Sequence, residues 1–262
     1  MTALLSARAL SLSFAGVRAL DAVDLNIDAG ELVGIIGPNG SGKSTLFNVL
    51  SGIYRLDHGT VSFRDERIDR LNAERVSRRG LARTFQNKRL FGSLSVHENV
   101  RVPAMSRAQG SVLGDVFGLS GSRLASEQAA DLVARCLQVT GLAGSGHILA
   151  GDLAYGAQNR LEIARALALE PQLLLLDEPA AGLNPAERTD LAELVRKVHA
   201  QGVTIALVEH DVRMVASLCD RTIVFDHGEK IADGATTEVV NDARVQAAYF
   251  GTAGTTENSH AV

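Results

Sequence analysis

Residues 153–179 read LAYGAQNRLEIARALALEPQLLLLDEP. A Gly-containing turn at Tyr155-Gly156 leads into helical sequence of about four turns. The apolar run LLLLD follows and ends in Asp177-Glu178. This layout predicts a carboxylate pair at the carboxyl end of a parallel strand, where open α/β sheets place ligand chemistry. The turn before the helix offers backbone N–H groups and the positive end of the helix dipole to a phosphate. The fold class expected from this stretch is α/β.

Upstream, Gly37-Pro38-Asn39-Gly40-Ser41-Gly42-Lys43-Ser44 fits the phosphate-loop pattern G-x-x-x-x-G-K-[ST]. It stands between the apolar strand LVGIIG, residues 32–37, and helical sequence expected to open at Ser44. Its glycines let backbone N–H groups converge on phosphate oxygens. Lys43 would reach the β- and γ-phosphates, and the Ser44 hydroxyl would coordinate Mg²⁺. Asp177 would hold Mg²⁺ through water, while Glu178 would orient or deprotonate the attacking water. One chain carrying a phosphate cradle and a separate phosphate-facing turn suggests a site shared by two molecules.

Other candidates stand near these motifs. His210 follows VTIALVE and could donate a hydrogen bond to a γ-phosphate, or could be a solvated residue opening a helix. Gln86 ends RTFQ, read as a short β-like run. Its amide could contact Mg²⁺ and the attacking water, or simply face solvent. Phe14 could stack on an adenine face or pack in the core. Asn184 and Pro185 look like the cap of a helix running from about 186 to 200.

The N-terminal quarter alternates through Leu10, Leu12 and Phe14, then Leu20, Val23, Leu25 and Ile27, which predicts strands of period 2. A short hairpin is expected around Asp57-His58-Gly59, then polar helical sequence to Arg79. Residues 88–158 read as an inserted helical subdomain, with a flexible stretch near 106–126. Residues 1–87 and 159–251 form the expected core. After residue 160 strands and helices alternate, which implies a mostly parallel sheet. Residues 252–262 read as a disordered tail.

The chain has 262 residues and a formal net charge of −4, spread without the basic stripe of a nucleic-acid binder. Cys136 and Cys219 are far apart and near no His/Cys cluster, so two buried thiols are expected. No signal-peptide pattern opens the chain, and its apolar runs are too short to span a bilayer. A soluble protein is expected, with any membrane role reached through a partner.

In this order and spacing, the motifs resemble the ATP-binding subunit of an ABC transporter over residues 4 to 251. The resemblance implies a P-loop ATPase core with an antiparallel β subdomain and a helical signature subdomain, as a single ABC domain. Phe14 matches the adenine-stacking loop, residues 37–45 (through Thr45) Walker A, and Gln86 the Q-loop. Residues 153–158, with Ala154, Tyr155, Gly156 and Gln158, match the signature motif. Residues 173–178 match Walker B with Glu178 catalytic, 181–184 the D-loop, and His210 the switch histidine. The implied cofactors are ATP and Mg²⁺.

ARTFQNKRLFGSLSVHENV, LAYGAQNRLEIARAL, LLLLDEPAAGLNP and VEHDVRMVASLCDRTIVFDHGEKIADG are similar to the longer ATPase subunit of branched-chain and other hydrophobic amino acid importers. That resemblance implies an ATPase on the cytoplasmic face of the membrane, docked on two permease subunits. It further implies a periplasmic substrate-binding protein serving them from outside, and an ATPase partner that is a second such subunit or another copy of this chain. Related systems for urea or amide import or lipopolysaccharide extraction are the alternatives, with a non-transport ABC ATPase behind them. Two positions depart from the general pattern. The signature serine is Ala154, which removes a hydroxyl expected to meet the opposite γ-phosphate, and the D-loop aspartate is Asn184.

Overall fold

The computed structural model describes residues 3–86, 88–108 and 121–250. The chain divides into two compact units, one of Met1–Glu74 with Thr204–Val262 and one of Arg75–Val203.

In the first unit, β1 (Leu5–Phe14) and β2 (Val17–Ile27) pair antiparallel. Leu10, Leu12, Leu20, Val23, Leu25 and Ile27 are buried, as alternation requires when one face meets the core. Strand β3 (Leu32–Ile36) is buried at every position and runs parallel to its neighbours β8 (Thr204–Val208) and β9 (Arg221–Asp226). Strand β10 (Glu229–Ala235) closes this group antiparallel to β9. Helix α1 (Lys43–Leu50) follows β3 and starts one residue before the expected Ser44. Helix α7 (Val212–Leu218) follows β8, capped by Asp211, whose carboxylate accepts the Arg213 and Met214 N–H groups. The short α8 (Thr236–Val239) and α9 (Ala243–Phe250) end the unit.

The hairpin expected at Asp57-His58-Gly59 lies elsewhere. These residues lead into β4 (His58–Phe63), which pairs with β1, and the Asp57 N–H donates to Ser11 O at 3.0 Å. The hairpin turn is Arg64-Asp65, joining β4 to β5 (Glu66–Arg67). Both turn residues have positive φ, 53° and 63°. Tight hairpin turns of that hand favour Asn and Gly, so the sequence carried a weak signal there.

In the second unit, β6 (Leu81–Arg83) and β7 (Leu173–Asp177) pair parallel, and every residue of β7 is buried. The β-like run expected to reach Gln86 stops at Arg83, although the Thr84 N–H still donates to Leu175 O. Helix α2 (Ala73–Arg78) leads into β6. Helices α3 (Val96–Ala108), α4 (Gly121–Val139) and α5 (Tyr155–Leu167) enclose Val96, Val100, Ala104, Val133 and Leu137. The fully buried Asn99 amide donates to the carbonyls of Phe91, Leu94 and Ser95 and accepts the Phe91 N–H, fixing the approach to α3. Helix α6 (Pro185–His199) opens with a complete capping box between Asn184 and Glu187.

Of the flexible stretch expected at 106–126, residues 109–120 lie outside the described residues, while 106–108 and 121–126 are helical. The expected tail from 252 also lies outside them. Cys136 and Cys219 are buried free thiols, pushed up to about 11 and about 12 by burial.

Candidate functional site

In the first unit the phosphate loop and His210 follow the carboxyl ends of β3 and β8, and Phe14 ends β1. Beyond β3 the chain turns sharply, with Gly37 at φ 151° and Gly42 at φ 105°. A Cβ would lie 2.1 Å from Phe225 O at Gly37 and 2.5 Å from Ala19 O at Gly42, so glycine is required at both on steric grounds. The loop is tied down from behind by the Gly228 N–H, which donates to Ser41 O at 3.0 Å. The buried Lys43 ammonium donates to Gly37 O (2.7 Å), Pro38 O (2.8 Å) and Ser41 Oγ (3.3 Å). A cation is thereby held inside a ring of loop backbone, at a helix N-terminus whose first turn has no acidic residue. Asn39, Gly40 and Ser44 are exposed at the mouth, and Thr45 is half-buried behind them.

His210 lies two residues beyond β8, half-exposed, with Nδ1 3.7 Å from Oε2 of the fully buried Glu209. Phe14 is 44% exposed, which removes the core reading, and meets Tyr54 edge to face at 5.3 Å. Sequence reasoning missed Tyr249 on α9. Its hydroxyl is buried near the Gly37 backbone without a well-formed hydrogen bond, and burial pushes the phenol up to about 12.

In the second unit, β7 ends in Asp177 and the chain bends at Glu178, φ 47°. The Gln86 amide donates to Glu178 Oε2 at 2.9 Å, so this unit brings those two predicted residues together. Asp177 Oδ2 pairs with Arg83 Nη2 at 2.7 Å, both side chains being buried. Sequence reasoning missed Arg83, because one arginine in a short strand does not announce its partner. Asp177 and Glu178 face a small cleft also lined by Thr84, Gln86, Lys88 and Tyr155. The Asn159 amide donates to Pro179 O at 2.8 Å and fastens α5 to the segment that follows Glu178.

Ala154 is the N-cap of α5, with φ −56° and ψ 151° and no side-chain cap. The neighbouring Tyr155 is 48% exposed, Gly156 is buried, and the Gln158 amide donates back to Leu153 O at 3.1 Å. The backbone at Ala154 already has N-cap geometry. Ala154→Ser should therefore stabilise the fold by about 0.5–2 kcal/mol, seen as a raised urea midpoint at unchanged slope. A midpoint below the parent's would show that a hydroxyl does not fit this turn.

The ABC transporter family profile matches residues 20–181, and a profile described as branched-chain amino acid ATP-binding cassette transporter matches residues 229–255. The chain belongs to the ABC transporter family, as an ATP-binding subunit whose activity is ATP hydrolysis coupled to transport. It is similar to the high-affinity branched-chain amino acid transport ATP-binding protein LivG of Escherichia coli (strain K12), at 39% identity over 95% of this chain and 98% of that protein. BraF of Pseudomonas aeruginosa, which carries the same description, is 38% identical over the same shares. The lipopolysaccharide export system ATP-binding protein LptB of Escherichia coli (strain K12) is 31% identical, again over 95% and 98%. Among solved structures, MJ1267, an ATP-binding cassette of an ABC transporter in its ADP conformation, aligns with a TM-score of 0.82. Its identity is 29%, over 96% of this chain and all of that one.

The residues fit a Mg-nucleotide. Asp177 Oδ1 is buried with no hydrogen-bond partner among the described residues, an acceptor suited to a metal-bound water. Among the described residues no group of three His, Cys, Asp or Glu could hold a metal alone.

Proposed function

We propose that this chain powers an importer of branched-chain or other hydrophobic amino acids. The observation that carries this reading is similarity over nearly the whole chain to LivG and BraF, joined by the separate match of residues 229–255 to the branched-chain profile. The lower identity to LptB places the lipopolysaccharide alternative second. Among the described residues no helix is long and apolar enough to cross a membrane. We assign the chain to the cytoplasmic face, docked on two permease subunits, with residues 88–158 as the segment that transmits motion to them.

Lys43 and the amides of residues 37–45 bind phosphate oxygens, and Phe14, exposed on its strand, offers an adenine a ring face. Ser44 and Asp177 would hold Mg²⁺, which when bound neutralises phosphate charge. Glu178 orients the attacking water and takes its proton, with Gln86 setting the carboxylate's direction through the hydrogen bond at Oε2. His210 donates an imidazole N–H to the γ-phosphate. The turn 154–156 faces the nucleotide of a partner ATPase, whether a second copy or a different subunit. ATP hydrolysis by this chain in its permease complex tests the cargo. External leucine or valine, delivered by the binding protein, should stimulate it several-fold, and stimulation by urea alone would reassign the system.

A further inference from the structure

Lys88 stands two residues after Gln86 and has no role in the mechanism above. Its ammonium lies 2.9 Å from the centre of the Tyr155 ring. It donates to Tyr155 O at 2.9 Å and reaches Gln158 Oε1 at 3.5 Å. The Tyr155 ring in turn lies against Gly182, where a Cβ would come within 3.0 Å of its Cε1. One ammonium thus grips the first turn of α5 by its carbonyl, its aromatic side chain and its glutamine. In sequence Lys88 stands two positions after Gln86, whose amide holds Glu178.

This placement runs against the helix dipole, which disfavours a cation at an N-terminus. It is compensated by the ring face, whose quadrupole attracts a cation, and by two carboxylates, Glu162 on α5 and Glu187 on α6. Arg165 stands beyond Glu162 and opposes Lys88 for that carboxylate. Burial still dominates and pushes the ammonium down to about 8.

We propose that Lys88 is a positioning residue for the turn 154–156. It fixes the carbonyl and ring of Tyr155, so that the Tyr155 and Gly156 N–H groups keep one direction although Ala154 supplies no capping hydroxyl. The inference rests on the reading that this turn faces a partner's nucleotide.

The test is hydrogen exchange of the full chain at pH 7, read on peptides covering residues 153–161. The informative amides lie in the first turn of α5, beginning with the Gln158 N–H, which donates to Ala154 O. Lys88→Met should lose their protection several-fold relative to the parent. Lys88→Arg, which keeps the charge and can reach the same carbonyl, should be protected as in the parent. Parent-like protection in Lys88→Met overturns the proposal, as does an equal loss in Lys88→Arg. Binding of labelled ATP, measured alongside, separates the two readings. Lys43→Met should lose it and Lys88→Met should keep it. Retained binding in Lys43→Met would overturn the nucleotide reading, while the exchange result would still decide the role of Lys88.

Discussion

Glu178→Gln binds ATP with the parent's affinity and loses roughly 10²–10⁴-fold in turnover, the range a positioned general base supplies. The substitution is nearly isosteric, and a glutamine oxygen at position 178 can still accept from the Gln86 amide that now donates to Glu178 Oε2 at 2.9 Å. What it removes is the negative charge and the basic lone pair directed at water. The bend after β7, with residue 178 at φ 47°, is a backbone feature that either side chain shares. Steady-state hydrolysis and equilibrium ATP binding, measured on the same preparation, separate the two effects. Turnover within two-fold of the parent would take Glu178 out of the chemistry and leave the Gln86 contact as a structural bond.

The second large effect is on stability. Arg83→Met should cost about 3–5 kcal/mol, because it leaves the Asp177 carboxylate buried without its cation. Arg83 and Asp177 side chains are 6% and 2% exposed and meet at 2.7 Å, so solvent does not screen the pair. The guanidinium also lies 5.1 Å from the centre of the Phe85 ring, a contact that methionine keeps only as an apolar one. In a chain of this size each kcal/mol moves the melting midpoint by about 2–4 °C, so a fall of roughly 6–20 °C is expected in a thermal scan. A midpoint within 2 °C of the parent's would show that Asp177 is compensated by other groups. Asp177→Asn in the Arg83→Met background should recover part of the loss, since it removes the stranded charge.

The strands that carry the site were legible because of their burial. LVGII, LLLLD and TIALV are covered on both faces, and such strands read as unbroken apolar runs. Helix α6 was legible from its cap, since Asn184 and Pro185 announce a start that the capping box with Glu187 completes. Turns without glycine were not legible. Arg64-Asp65 adopts positive φ at both residues although neither residue type demands it, so the hairpin was sought at Gly59 instead. Side-chain pairings across distant segments were equally hidden. Arg83 meets Asp177 94 positions away, and Lys88 meets Tyr155 67 positions away, and no periodicity encodes either contact.

The departure at Ala154 also gains meaning from its surroundings. The missing hydroxyl would serve two tasks, capping α5 and meeting a phosphate. The structure shows the first undone, with no side-chain cap on α5, and Lys88 gripping the same turn from the other side. Asn184, the other departure, is committed within the chain to capping α6 through the Glu187 N–H.

Import driven by this chain is measured most directly as uptake of labelled leucine into proteoliposomes that hold the permeases and this chain, with the binding protein and ATP supplied on their proper sides. ATP-dependent accumulation is expected with the parent chain, and none above background with Glu178→Gln. Leucine accumulation of equal size with both chains, or without ATP, would contradict it.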